Sequence, residues 1–154
     1  MDTFYIVYFV VHFCISILID SAIVLPESLT HPLQKMLLQT QITQNHDPLL
    51  VDKPVWLQTF VWVEIFLQVP FFAWAAYALA KKNKKAYIAC LIYGVEASTT
   101  TLGCLGEVAM CSLDMARKAK LFAIYFPTFL IPLYMTYDFG TRLCRIVGEK
   151  SKLE

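Results

Sequence analysis

The sequence predicts an all-α membrane protein: a bundle of four transmembrane helices, two of them kinked, in a single domain over residues 1–154. Three observations carry this. Of 154 residues, 58% are hydrophobic and 16% are charged, well under the roughly 25% charged residues of a soluble domain. The mean hydropathy is +0.56, so the polar surface that a small soluble domain needs is missing and lipid is the natural solvent. The apolar residues also gather into long stretches, each near or above the ~20 residues that cross a ~30 Å hydrocarbon core. In lipid the backbone satisfies its hydrogen bonds in helices or closed barrels, and so few strands cannot close a barrel.

The expected helices cover about residues 4–25, 55–80, 86–113 and 121–139. The first is broken only by His12, Ser16, Asp20 and Ser21. It lacks the positive n-region of a signal peptide, its apolar run is long for an h-region, and Ser21 behind Asp20 makes a poor cleavage site. It therefore reads as an uncleaved helix. The connection to the second helix, residues 26–54, is the longest and is broken by Pro26, Pro32, Pro48 and Pro54. Within it LQKMLL, residues 33–38, is apolar enough for a short helix on the membrane surface or capping the bundle. Pro70 in helix two and Pro127 and Pro132 in helix four each remove a backbone donor and crowd the preceding turn, which predicts kinks.

With four spans, both termini share one side. That side collects Lys81, Lys82, Lys84, Lys85, Arg142, Arg145, Lys150 and Lys152, eight basic residues against five on the other: Lys35, Lys53, Arg117, Lys118 and Lys120. The bias predicts cytosolic termini. The tail KSKLE places Lys150 and Lys152 in a K-x-K-x-x pattern, the dilysine type of signal that retrieves membrane proteins to the endoplasmic reticulum. A plain basic anchor is the simpler alternative. A net charge of +1, with clustered lysines and no interleaved aromatics, offers no nucleic-acid surface. Five scattered cysteines, odd in number and without CxxC, point to neither a disulfide framework nor a metal site, and no cofactor is called for.

Ionisable groups at membrane depth are costly and are functional-site hypotheses by default. Here they are Asp20, Glu64, Glu96 and Glu107, with Gln68 beside them. Helical rise puts Asp20 about 8 Å from the loop-side end of helix one, and Glu64 about 14 Å into helix two from the same side. The two helices are antiparallel neighbours, so the two carboxyls can face one another. Gln68 follows one turn deeper. Glu96 is mid-membrane, and Glu107, near the interface, reads as solvated. No lysine or arginine lies in a span to neutralise the pair, so the two acids share a proton and keep about one negative charge toward an apolar space. Such a site can hold a cationic amine or hydrogen-bond a hydroxyl on an apolar ligand. The plainer reading is an interhelical hydrogen bond that fixes packing. For STTT, residues 98–101, a structural role in bonding helix carbonyls is favoured.

The runs DSAIVLPESL, DPLL, PVWLQTFVWVEIFLQVPFFAWAAYALAK, IYGVEASTTT and YFPTFLIP resemble, in order and spacing, the sigma-2 receptor (transmembrane protein 97) family of the EXPERA superfamily. That superfamily also holds the emopamil-binding sterol isomerase. The block E-x-x-x-Q-x-P-F-F is the most specific part. The resemblance implies a lumen-side pocket occluded within the bundle and reached from the lipid, homodimers, residence in the endoplasmic reticulum, and binding of sterols and cationic amphiphiles. It implies that Asp20 is the amine-binding aspartate and Glu64 the glutamate that hydrogen-bonds it. Asp47 becomes a further acid near the pocket, and Gln68, Tyr93, Thr100 and Tyr125 fall on matching positions. Thr128 departs from the pattern, standing where relatives carry a pocket tyrosine, and Glu96 stands where they can carry histidine. Fungal members are linked to import of mitochondrial precursor proteins.

Three functions compete at this level. The leading one is a non-catalytic regulator of sterol or lipid homeostasis, or of protein trafficking, that binds a sterol or amphiphile. The second is a sterol isomerase, which needs a proton donor and an acceptor on opposite sides of a double bond. Its histidine is the weak point: His12 lies about 12 Å from Asp20 along the helix axis and is a poor partner. The third is an adaptor or chaperone that uses its loops, with an unidentified client.

Overall fold

The computed structural model describes residues 2–150. Of the tail lysines, Lys150 is the last described residue and Lys152 lies outside them. The described residues form helices and no strand: α1 (Asp2–Val24), α2 (Pro32–Asn45), α3 (Pro48–Asp52), α4 (Val55–Ala80), α5 (Ala86–Met110) and α6 (Met115–Lys150). α1, α4, α5 and α6 are each long and apolar enough to span a membrane. The protein is an all-α, four-span membrane bundle.

Two helices differ in extent from the sequence expectation. α5 ends at Met110 instead of near 113, and α6 runs from Met115 to Lys150 instead of over 121–139. Hydropathy marks only the part that lipid selects. The Asp114 carboxylate accepts from the Arg117 N–H at 3.0 Å and opens α6 before its apolar stretch begins, and no proline interrupts residues 140–150. α6 thus starts with Arg117, Lys118 and Lys120, the wrong charge for a helix N-terminus. Two of these turn outward: Lys118 Nζ donates to the Ala109 carbonyl at 2.8 Å, and Lys120 Nζ to that of Gln44 at 3.2 Å. Both satisfy the last carbonyls of neighbouring helices, α5 and α2.

The LQKMLL segment is part of a longer helix. Pro32 stands in the first turn of α2, where a missing N–H costs nothing. His31 Nδ1 accepts from the Leu33 N–H at 3.2 Å, while Gln34 Oε1 accepts from the His31 N–H at 2.7 Å, closing a capping box. His46 ends the helix in the left-handed conformation with φ 53°. Gln34 Nε2 also donates to the Ile17 carbonyl at 2.7 Å and to Ser21 Oγ at 2.9 Å, which pins α2 across the end of α1.

The half of the bundle near the two termini is solidly filled. Tyr5, Phe9, Phe72, Leu79, Met135 and Phe139 form one buried cluster. Lipid provides no hydrophobic drive for helices to associate, so close packing and polar contacts must do it. α5 and α6 approach closely at Gly94. A Cβ there would lie 2.6 Å from Thr136 Oγ1 and 2.8 Å from the Pro132 carbonyl oxygen. A polar clamp closes this end. Arg142 bonds Asp2 at 2.5 Å and Asp138 at 2.7 Å, Tyr5 donates to Asp138 at 2.9 Å, and the guanidinium lies 4.9 Å over the Phe139 ring. In the sequence, Arg142 counts only as a charge that orients the chain. The opposite half divides into two clusters, Leu49, Leu57, Cys104, Val108 and Leu121 in one, Ile23, Leu50 and Val61 in the other.

Candidate functional site

Between those two clusters lies a cavity of about 400 Å³, within the range of small-molecule sites. Its walls mix aliphatic side chains such as Ile19, Ile23, Leu57 and Val61 with tyrosines, threonines and carboxyls. They come from all four spanning helices, with Gln41 of α2, Leu50 of α3 and Asp47 at the start of α3; no lysine or arginine lines the cavity among the described residues. Asp20, Glu64, Gln68, Asp47, Tyr93, Thr100 and Tyr125 all line it, and so does Thr128.

The acidic pair is set by a local feature of both helices. Ser16–Asp20 of α1 and Glu64–Gln68 of α4 are single π turns, and the two pack against each other. Such turns are frequent at functional sites. In α4 the cause is readable: Pro70 cannot donate to the preceding turn and its ring crowds a carbonyl there. The Val69 N–H reaches back to the Glu64 carbonyl instead. The polar side chains sit at the ends of these turns. The Asp20 and Glu64 carboxyls adjoin across the helices, and the Ser16 hydroxyl donates to Glu64 Oε1. Asp20 is deep in the bundle yet keeps open surface, because it faces the cavity.

At one rim, Asp47 is buried at 4% exposure. Its Oδ1 accepts from the Leu49 N–H at 3.0 Å and caps α3, and its Oδ2 accepts from the Tyr125 hydroxyl at 2.6 Å, which ties the connection to α6. Burial pushes the Asp47 carboxyl above the usual carboxylate range, against the opposing pull of those two donors. Toward the termini, the Tyr8 and Tyr93 hydroxyls meet at 2.9 Å. His12 stacks on the Tyr8 ring with centroids 4.1 Å apart, and its buried Nδ1 has no hydrogen-bond partner among the described residues. His12 lines the same cavity as Asp20, at another level.

Glu96 does not line the cavity. It is half-buried behind Gln68, whose Nε2 donates to Glu96 Oε2 at 2.5 Å. Glu107 is exposed. The hydroxyls of Ser98, Thr99, Thr100 and Thr101 all bond carbonyls of their own helix. Sequence reasoning passed over Ser16 and Tyr8. A serine four residues before an intramembrane aspartate was the available signal for the first; a tyrosine in an apolar helix carries none.

The fold and cavity define the class: a four-span membrane protein whose bundle holds an internal, carboxyl-bearing cavity. Comparison with known proteins narrows it. The family EBP: EXPERA (EXPanded EBP superfamily) matches residues 32–139. "Efficient mitochondria targeting-associated protein 19" of Saccharomyces cerevisiae is 36% identical over 151 residues, 87% of this chain and 94% of that protein. Its namesake in Schizosaccharomyces pombe is 37% identical over 149 residues, 94% of this chain and 78% of that protein. "Sigma intracellular receptor 2" of Xenopus tropicalis is 30% identical over 165 residues, 99% of this chain and 96% of that protein. The chain belongs to the EXPERA superfamily.

Proposed function

We propose that the protein is a non-catalytic membrane protein of the endoplasmic reticulum, with both termini cytosolic. It binds a sterol or a cationic amphiphile in the cavity and regulates lipid homeostasis or protein trafficking, as a homodimer. One observation supports this above the others: two adjoining carboxyls, Asp20 and Glu64, on paired π turns facing a cavity that holds no lysine or arginine among its described residues. A shared negative charge there recognises an amine, and a shared proton recognises a hydroxyl. The test is lipid mass spectrometry of the purified protein. A sterol or amphiphile enriched over bulk membrane lipid is expected, and a bulk lipid profile would sink the reading. Orientation is tested separately. A glycosylation site placed near Thr43 should be modified, one at the C-terminus should not, and the reverse pattern would invert the topology. Alanine at Lys150 and Lys152 should release the protein from the endoplasmic reticulum; unchanged location would remove the role of the tail.

The names of the yeast relatives favour a second reading, assistance to mitochondrial targeting of precursor proteins. The two are compatible if the cavity ligand controls the client. Import of precursors in cells lacking the protein, restored by wild type but not by Asp20→Asn, would join them. Isomerase activity is the remaining alternative. Incubation with an unsaturated sterol, followed by product analysis, should show no shifted double bond.

A further inference from the structure

Glu96 lies outside the cavity, yet its side-chain hydrogen bond to Gln68 determines what a cavity residue can offer a ligand. Gln68 carries an amide with two unlike ends, an NH₂ that donates and a carbonyl oxygen that accepts. A side chain free to flip would present either end. Here Nε2 is engaged by Glu96 Oε2 at 2.5 Å. The Glu96 carboxyl oxygen accepts there, so the amide turns its NH₂ toward Glu96. Its Oε1 is left without a donor among the described residues, on a side chain that lines the cavity. No side chain among the described residues donates to that oxygen: the Ser16 hydroxyl donates to Glu64, and of the Tyr8–Tyr93 pair one hydroxyl donates to the other.

We propose that Glu96 is a positioning residue that sets the donor–acceptor preference of the cavity. By holding the Gln68 amide, it makes that wall an acceptor, one turn of α4 beyond the Asp20–Glu64 pair. The favoured ligand therefore carries an amine for the acidic pair and, further along, a hydroxyl or N–H donor. A ligand with a carbonyl or ether at that second point meets two lone pairs face to face and is disfavoured. The inference rests on the reading of the cavity as an amphiphile site.

The experiment uses the full chain in detergent and a matched pair of probes: a phenylbutylpiperidine with a secondary alcohol on the carbon beside the phenyl ring, and the same compound with a ketone there. The parent should bind the alcohol roughly tenfold more tightly, the worth of one satisfied against one opposed hydrogen bond. Glu96→Gln keeps the shape but lets the amide face either way, so the preference should shrink to about twofold or less. The shrinkage should come from both sides, the alcohol weakening and the ketone tightening; a merely structural lesion weakens both. Glu96→Leu, which suits a membrane helix, should give the same collapse and serves if the first variant does not purify. Gln68→Leu should also bring the ratio near one. Equal binding of the two probes by the parent, or an unchanged ratio in the Glu96 variants, overturns the inference while leaving the cavity reading intact. If the parent binds neither probe, or Asp20→Asn binds both as well as the parent does, the cavity reading fails and the inference goes with it.

Discussion

The two halves of this bundle spend their residues differently. Near the termini, aromatic side chains fill the space between helices, Gly94 lets α5 and α6 almost touch, and Arg142 clamps α1 to α6. Toward the loops, the same four helices stand apart around a cavity, and three polar side chains hold the rim: Gln34 of α2 bonds α1, Lys120 of α6 bonds the end of α2, and Asp47 at the start of α3 bonds Tyr125 of α6. A cavity forfeits the dispersion contacts of its lining, and lipid outside supplies no drive to close it. The filled half therefore carries the cohesion that lets the other half stay hollow. Stability and ligand chemistry are separated along the bundle axis, and substitutions in the two halves should separate in the same way.

The largest effect should come from the hollow half. Asp20→Asn removes the charge and keeps the shape, so binding of a cationic amphiphile should weaken by about 2–5 kcal/mol, the cost of losing a partly buried ion pair. The unliganded variant should still fold, because the amide can bond the neighbouring Glu64. Glu64→Gln should cost less, since an amide can still donate to Asp20. Radioligand binding and thermal shift on both variants check the ordering. Undiminished binding by folded Asp20→Asn would falsify the assignment of this pair.

Much of this architecture is legible in the sequence because lipid imposes a strict length rule. The four spans follow from it, and Asp20 and Glu64 stand out because charge is rare at that depth. What stays hidden has physical causes. The true length of α6 is invisible to hydropathy because its ends lie outside the region that lipid selects. The start of α2 is obscured because histidine seldom caps a helix through its ring. The π turn in α4 could be suspected from Pro70, but that in α1 has no such marker. Distance along the axis made His12 a poor partner for Asp20, yet one elongated cavity reaches both. The bond between Asp138 and Arg142 was within reach of reading, since the two are four residues apart on a helix.

The filled half gives the next effect. Gly94→Ala gains up to about 1 kcal/mol of helix propensity. It also drives a methyl to 2.8 Å from the Pro132 carbonyl, a backbone atom that cannot rotate away. Overpacking of this kind costs about 1–3 kcal/mol, so the clash wins and the thermal midpoint should fall. Affinity of the folded fraction for an amphiphile should change little, because Gly94, Pro132 and Thr136 do not line the cavity. A stable variant with lost binding would contradict the separation of the two halves.

The smallest effect lies at the rim, and its sign depends on pH. Burial raises the Asp47 carboxyl above the usual carboxylate range, while the Tyr125 hydroxyl and the Leu49 N–H pull it down without winning. The folded protein therefore holds this proton more tightly than the unfolded chain does. The associated stability is fully present below the ordinary aspartate value of about 3.9 and is lost as pH rises through the folded-state value. Asp47→Asn cannot ionise. Its amide oxygen can accept from Leu49, and its NH₂ can donate to the Tyr125 oxygen, so it resembles the protonated acid at every pH. Parent and variant should match in acid, and the variant should gain on the parent toward neutral pH by less than about 1 kcal/mol. Thermal midpoints of the two proteins across that range are the measurement. If the variant instead loses ground as pH rises, the two donors outweigh burial, and Asp47 is a charged cap of α3 and not a neutral one.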